Sequence, residues 1–347
     1  MLTLENPIVK LYLTLIGGVM VGFILGRLLP KVASEYLGKA LFWVGVPLSI
    51  LAFLRRTNLS GGIWIAPLTA WIAILVGALL AWIWIDLGVT DERLRALSVG
   101  LDTNTPSNTS SGEGPVLNLD SPAPKSSWSK PTQGSFLLCM MVGNTSYLGY
   151  PVILTLIGQE YFVWALFYDL MGTTLGAYGL GVALASRFGS TNSKRIKGGI
   201  KGMAMAMLIN PALWSLLFGL GLKNVYLPPQ AEAILQNVAL GVVYSSLILI
   251  GMKLSQLSSL RNLQQALTCL SIKMLLVPLV VGTGLMFFGV TGSPRLVLVL
   301  QMAMPPAFAT LVITEAYNLD RDLTITALAF GYVGFLFTLP VWIWLFK

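Results

Sequence analysis

The chain has 347 residues, of which 55% are hydrophobic and only 10% are charged, and its formal net charge is +8. Soluble proteins usually have about a quarter of their residues charged, so this composition excludes an ordinary soluble fold and predicts a polytopic membrane protein. Histidine, the commonest metal ligand, is absent. We therefore expect no metal site and no cofactor.

A membrane-spanning helix needs about 20 mostly apolar residues, and ten such segments can be laid along the chain. The first apolar run follows Glu5 and Lys10 and lacks a small-residue cleavage site, so it is interpreted as a span and not as a signal peptide. The predicted spans are 8–29, 37–54, 62–86, 134–157, 160–185, 201–222, 230–252, 264–289, 294–316 and 322–346.

Two polar connectors divide the spans. Residues 90–133 are dense in Ser, Pro, Thr, Asn and Gly, a composition that buries too little apolar surface to offset the entropy of ordering. This stretch predicts a flexible loop between spans three and four. A basic connector, Arg187 to Lys201, joins spans five and six and lies at the natural midpoint of the chain.

The positive charge is a topology signal. Most Lys and Arg residues fall in the loops opposite the two termini, and by the positive-inside rule the richer side is cytoplasmic. Both termini are then expected outside the cell membrane, with loop 90–133 in the cytoplasm. The basic excess indicates contact with anionic membrane lipid and not with nucleic acid.

The two halves of the chain share a weak sequence likeness. Residues 22–30 resemble residues 217–222 with the Leu-Pro that follows, and both spans four and nine contain a break. Because five helices is an odd number, the second half must enter the membrane from the opposite face. The predicted fold is an all-α membrane protein of ten helices in two inverted five-helix repeats.

The breaks are the stretches from Gly143 to Pro151 and from Met304 to Ala307, each inside an apolar span. Non-helical backbone at membrane depth is tolerated only where it is enclosed by protein or lines a cavity. If both breaks lie near the midplane, two helix amino ends face one pocket, and their partial positive charge favours a small organic anion.

Several residues of the breaks suit such a site. Prolines are compatible with a first helical turn, which accounts for Pro151, Pro305 and Pro306. The side chains of Asn144, Thr145 and Ser146 add hydrogen-bond donors. The simpler alternative is that the prolines only kink their helices, but paired breaks in equivalent spans favour a binding site.

Two ionisable residues lie within predicted spans. Charge inside a membrane is costly and usually faces a cavity or a partner. Asp169 and Lys273 could pair with each other, or Asp169 could take up a coupling proton; a purely structural role is the alternative. Cys139 and Cys269 fall inside predicted helices and are expected to be buried thiols.

An ordered set of motifs resembles the auxin efflux carrier family, and its prokaryotic members more than the plant carriers. The set comprises Gly143 to Val152, Phe167-Tyr168-Asp169-Leu170, Asn210-Pro211, Ala303-Met304-Pro305-Pro306, Glu315-Ala316-Tyr317-Asn318 and Thr338-Leu339-Pro340. Residues 90–133 and the short connector after span five depart from the plant pattern, so neither plant-type regulation nor a substrate can be transferred.

The resemblance implies a scaffold of helices 1, 2, 6 and 7 (residues 1–60 and 201–255) that forms a homodimer. It implies a mobile transport domain of helices 3–5 and 8–10 (residues 61–200 and 256–347), with helices 4 and 9 crossing. It further implies elevator-like carriage of carboxylate-bearing anions without ATP. The site would include Asn144, Pro151, Pro305 and Pro306, with Pro47 and Ser49 on the scaffold wall.

Other classes fit less well. An intramembrane aspartyl protease needs two carboxylates, and no Gly-x-Gly-Asp follows Tyr168-Asp169. A channel or receptor does not explain paired breaks. A sodium- or proton-coupled symporter of the bile-acid or organic-acid type shares the implied architecture and remains the alternative function.

Overall fold

The computed structural model describes residues 7–57, 59, 62–101, 128–189, 205, 208–257 and 261–347. All regular secondary structure in these ranges is helical, and the sole β-type pairing there is an isolated bridge between Gly143 and Pro306. The predicted all-α class is confirmed.

The main helices of the described ranges are numbered in chain order. They are α1 (Pro7–Leu28), α2 (Lys31–Ala40, continuing through Leu41–Gly45 and Val46–Arg56), α3 (Ile65–Leu101), α4 (Lys130–Met141), α5 (Gly149–Leu156), α6 (Phe162–Tyr168, continuing to Val182–Phe188), α7 (Pro211–Gly221), α8 (Pro229–Leu254), α9 (Leu263–Ser271, continuing through Ile272–Leu276 and Val277–Gly284), α10 (Gly292–Met302), α11 (Phe308–Ala316) and α12 (Arg321–Phe346).

Six helical stretches in the described part of the chain are long and apolar enough to cross a membrane. They are Pro7–Leu28, Lys31–Arg55, Ile65–Leu87, Pro229–Leu254, Leu263–Phe288 and Arg321–Phe346. The helix Pro211–Gly221 is apolar but shorter. Predicted spans four and nine are both divided, into α4 and α5 and into α10 and α11.

The predicted boundaries of loop 90–133 are wrong at both ends. Helix α3 continues to Leu101, and α4 already begins at Lys130. The residues from 91 to 97 are mostly good helix formers, with neither Gly nor Pro among them, so the helix extends beyond its apolar segment. Residues 102–127 and most of the basic connector, 190–204, lie outside the described residues.

Side-chain caps fix the starts of three helices. The Ser129 hydroxyl accepts from Thr132 N before α4, and the Asn210 side chain accepts from Ala212 N before α7. The Asp320 carboxylate accepts from the Leu323 backbone N–H at 2.9 Å at the start of α12. These side chains satisfy backbone donors that have no partner within the helix.

The Asp320 carboxylate also connects neighbouring helices. Its Oδ2 accepts from the Thr132 hydroxyl at 2.8 Å and from the Asn262 amide at 2.9 Å. Thr132 lies in the first turn of α4, and Asn262 immediately precedes α9. One carboxylate therefore connects the starts of α4, α9 and α12.

Glycine allows the closest helix contact, between α1 and α8. A Cβ added at Gly22 would lie 2.0 Å from the Ile248 carbonyl oxygen, and one at Gly251 would lie 2.0 Å from the Val19 carbonyl oxygen. The two backbones are therefore in direct contact. Helix α2 packs against both α7 and α8.

The remaining helices pack around α4, α6 and α12. A Cβ at Gly172 of α6 would lie 2.1 Å from the Ala70 Cβ of α3, so small residues again bring two helices together. Helix α12 contacts α9, α10 and α11. The buried core between these helices contains the interrupted segments of both divided spans.

Candidate functional site

The two interrupted segments bind each other. The Asn144 backbone N–H donates to the Pro305 carbonyl oxygen at 2.8 Å, and the Ala307 N–H donates to the Val142 carbonyl oxygen at 3.1 Å. Backbone groups that would otherwise be unsatisfied in a buried, non-helical segment thus find partners in the opposite interruption.

Proline is compatible with this bridge for a geometric reason. Gly143 and Pro306 lie opposite each other, and the two hydrogen bonds come from the residues that flank this pair. In such an antiparallel pair the central residues exchange no N–H, so Pro306 loses nothing by lacking one. Helix α12 covers the prolines closely, because a Cβ at Gly331 would lie 2.9 Å from the Pro305 Cβ.

The sequence predicts that the prolines of both breaks lie in the first turn of a helix. This prediction is correct for the first break only. Pro151 is the third residue of α5. Pro305 and Pro306 instead precede α11, which begins at Phe308. A residue before proline is disfavoured in the helical conformation, so consecutive prolines keep this segment extended.

Asp169 lies at the start of the π-helical segment Asp169–Thr174 in α6 and is only 3% exposed. Its Oδ1 accepts from the Thr145 hydroxyl, and its Oδ2 accepts from the Tyr150 hydroxyl at 2.7 Å. Two hydroxyl donors from the break and from α5 therefore hold this buried carboxylate.

Asn144 is also buried, at 3% exposure. Its Nδ2 donates to the Tyr332 hydroxyl of α12. The Tyr332 ring stacks on Phe308, the first residue of α11, with ring centroids 5.6 Å apart. The Asn144 side chain is thus oriented by an aromatic pair from the other half of the chain.

A cavity of about 150 Å³ lies beside the joined breaks. One wall comes from the breaks and from α6 and α11, and the other from α2, α7 and the residue before α7. The lining residues used below are Phe42, Val46, Asn144, Ser146, Asp169 and Asn210. A cavity of this volume holds a molecule about the size of benzene.

The amino ends of two helices lie at this cavity. Ser146 and Tyr147 lie just before α5, Ala307 directly precedes α11 and Phe308 begins it; all four line the cavity. Helix amino ends carry a partial positive charge. Asp169 contributes a carboxylate to the same cavity. The cavity lining therefore combines a negative side chain with the partial positive charge of two helix ends.

Lys273 lies in the π-helical segment Ile272–Leu276 of α9 and is 5% exposed. Its Nζ donates to the Met140 carbonyl oxygen at 3.2 Å. The ion pairs found in the described residues do not include Lys273 or Asp169. The two side chains that could have paired take separate partners instead.

The predicted site residues do not all meet at one place. Asn144, Ser146 and Asp169 line the cavity, and Thr145 binds Asp169. Pro151, Pro305 and Pro306 are buried in the surrounding backbone.

Pro47 and Ser49 are not among the cavity-lining residues. The Ser49 hydroxyl donates to the Gly45 carbonyl and lies 3.4 Å from the Ala239 carbonyl, so it points towards α8. Phe42 and Val46 line the cavity instead. The π-helical segment Leu41–Gly45 changes the helical register, which sequence spacing alone does not reveal.

Several polar residues of the site were not predicted. Tyr150 and Tyr332 bind the predicted Asp169 and Asn144, and Gln301 lies against the amino end of α5. Tyr150 sits within the quoted first break, so that motif contained a usable signal. Tyr332 is 188 positions from Asn144, and no local pattern connects them.

Comparisons with known proteins agree with a membrane carrier. A family model described as "Membrane transport protein" matches residues 200–343. An uncharacterized transporter of Methanocaldococcus jannaschii is 28% identical over 213 residues, which cover 61% of this chain and 68% of the relative. An uncharacterized transporter of Methanothermobacter thermautotrophicus is 28% identical over 200 residues, which cover 57% of this chain and 63% of the relative.

The apolar helices and these matches define an integral membrane transport protein. The matches also confirm the resemblance that the ordered motifs indicated. The chain is similar to prokaryotic transporters, in agreement with its resemblance to the auxin efflux carrier family.

Proposed function

We propose that this protein is a secondary transporter that exports or exchanges a small organic anion by alternating access. The observation that carries the proposal is the cavity between the joined breaks and helices α2 and α7. Transporters characteristically bind substrate where discontinuous helices meet near the middle of the membrane.

The anion would bind beside Asn144 and Ser146 at the amino ends of α5 and α11. Partial positive charge at those ends attracts a carboxylate, and the side-chain amide and hydroxyl supply directional hydrogen bonds. A volume of about 150 Å³ favours a compact carboxylate over a large conjugate.

Asp169 would couple the anion to a proton. A carboxylate and a second anion in one small cavity repel each other, and protonation of Asp169 removes that repulsion. Its ionisable neighbours include tyrosines: Tyr150 donates to it, and Tyr147 and Tyr178 line the cavity. Proton uptake with substrate is therefore the coupling that this arrangement supports.

The large-scale mechanism is proposed as follows. Ten membrane helices form two inverted five-helix repeats, with the two interrupted spans crossing. Residues 1–60 and 201–255 form a scaffold that dimerises, and residues 61–200 and 256–347 move across it as an elevator. Both termini lie outside the cell membrane. The cavity lies between these two groups of helices. Movement of one group against the other would open the cavity first to one side of the membrane and then to the other.

The test is uptake of radiolabelled organic acids by purified protein in liposomes, with imposed pH or sodium gradients. The panel includes short mono- and dicarboxylates and a bulkier aromatic acid. We expect saturable flux of a compact carboxylate that a pH gradient accelerates. Flux accelerated by sodium alone would favour the symporter alternative, and absence of flux for every acid would refute the anion carrier.

A further inference from the structure

The buried amine of Lys273 has no carboxylate partner among the ion pairs of the described residues. Its Nζ instead donates to the carbonyl oxygen of Met140, in the last turn of α4. The last carbonyls of a helix lack partners within the helix and carry partial negative charge. The ammonium therefore neutralises a helix carboxyl end.

The Met304 carbonyl, in the second break, lies close to the same point. A Cβ placed on Gly143 would lie 3.4 Å from Lys273 Nζ and 3.5 Å from the Met304 carbonyl oxygen. Met304 follows α10, which ends at Met302. A carbonyl from the end of α4 and a carbonyl of the second break thus both lie near the Lys273 ammonium.

A second cavity surrounds this group, on the side of the joined breaks that contacts α3 and α9. Its volume is about 10 Å³, near the smallest space that holds one water molecule. Gly143, Thr145, Thr173, Lys273 and Gln301 are among its lining residues.

One residue that lines this second cavity has an unsatisfied oxygen. Gln301 is 1% exposed and its Oε1 has no hydrogen-bond partner among the described residues, although its Nε2 donates to the Ala165 carbonyl. Met140, Thr145 and Thr173 line the same cavity, so its lining residues supply a backbone carbonyl, two hydroxyls and an amide oxygen. Oxygen-rich sites without thiolate or imidazole suit hard cations such as Na⁺.

We propose that the Lys273 ammonium is a tethered cation that occupies a monovalent-cation site at the joined breaks. In transporters, unwound carbonyls and helix carboxyl ends are the groups that coordinate a coupling cation. Here a covalently attached charge fills that role, so the wild-type protein neither needs nor binds Na⁺ at this position. Removal of the amine opens a site for Na⁺. The consequence for coupling rests on the proposed transport function; the binding site itself does not.

Thermal unfolding of three purified proteins in detergent tests the proposal. Wild-type, Lys273→Ala and Lys273→Met are each compared in NaCl and in choline chloride at equal ionic strength. Lys273→Ala leaves space near the oxygen ligands, whereas Lys273→Met keeps the volume of the side chain without its charge.

We expect the midpoint of wild-type unfolding to be the same in both salts. Lys273→Ala should unfold at a lower temperature in choline and regain several degrees in a saturable manner with NaCl. Lys273→Met should be destabilised without rescue, because its side chain blocks the space. Adding Gln301→Leu to Lys273→Ala should weaken the sodium rescue at least tenfold in midpoint concentration.

Saturable stabilisation of the wild-type protein by NaCl over choline would overturn the proposal, as would equal responses of the Ala and Met variants. If Lys273→Ala does not fold, sodium-22 binding to the wild-type protein decides: saturable binding at this site refutes the tethered cation, and its absence supports it. These readouts need no transported substrate, so failure of the anion-carrier proposal would not alter them.

Discussion

Replacement of Asn144 tests whether the joined breaks bind substrate. Asn144→Ala removes an amide that lines the cavity and that donates to the Tyr332 hydroxyl. A hydrogen bond to a charged group contributes about 1.5–3 kcal/mol. Since about 1.4 kcal/mol corresponds to a factor of ten, loss of the bond to a carboxylate should lower the efficiency of flux by about 10- to 100-fold.

We expect Asn144→Ala to lower the free energy of unfolding without preventing the protein from folding. Without its partner, the buried Tyr332 hydroxyl is left unsatisfied, at a cost of about 1–3 kcal/mol. Tyr332→Phe removes the same bond but leaves the amide in the cavity. It should therefore lower flux only about threefold, because orientation and not binding is lost. Asn237→Ala, an exposed asparagine of α8, serves as the matched control.

The assay is initial uptake of the transported acid into proteoliposomes over a range of concentrations, with unfolding midpoints measured on the same preparations. The double variant completes a cycle that measures the coupling of the two side chains. Wild-type flux in a folded Asn144→Ala protein would refute direct binding. Equal losses for the Asn144 and Tyr332 variants would assign Asn144 a positioning role instead.

Three further predictions concern stability and coupling. Asp320→Ala should destabilise the protein by about 3 kcal/mol, because it removes a cap and two hydrogen bonds that connect helix starts, with the loss read from thermal unfolding. Gly22→Ala should cost about 1–3 kcal/mol, since its Cβ would meet a carbonyl oxygen at 2.0 Å, whereas Gly17→Ala, with open space around it, should be neutral or stabilising. Asp169→Asn should make uptake independent of the imposed pH gradient.

Each of these has a contradicting result. Recovery of full stability in Asp320→Ala would show that the connected helix starts are held by other contacts. Equal unfolding midpoints for Gly22→Ala and Gly17→Ala would contradict the close contact of α1 with α8. An unchanged pH response in Asp169→Asn would leave this carboxylate with a structural role.

The sequence by itself determined the membrane class and the positions of both breaks. These properties depend on local composition: long apolar runs must be helical in lipid, and a stretch that combines Gly, Asn and Pro disfavours a continuous helix. The same local signals identified Asn144, Ser146 and Asp169 as candidates, and all three line one cavity. The end of α3 was missed because apolarity marks the membrane and not the end of a helix.

Only the tertiary structure decided which groups meet. The bond between Asn144 N–H and the Pro305 carbonyl joins residues far apart in sequence, and the packing of whole helices brings them together. Phe42 and Val46, and not Pro47 or Ser49, face the cavity because a π-helical segment shifts the register of α2. The partners of Asp169 and Lys273 were likewise set by three-dimensional proximity, since a charge inside a protein takes the nearest complementary group that packing provides.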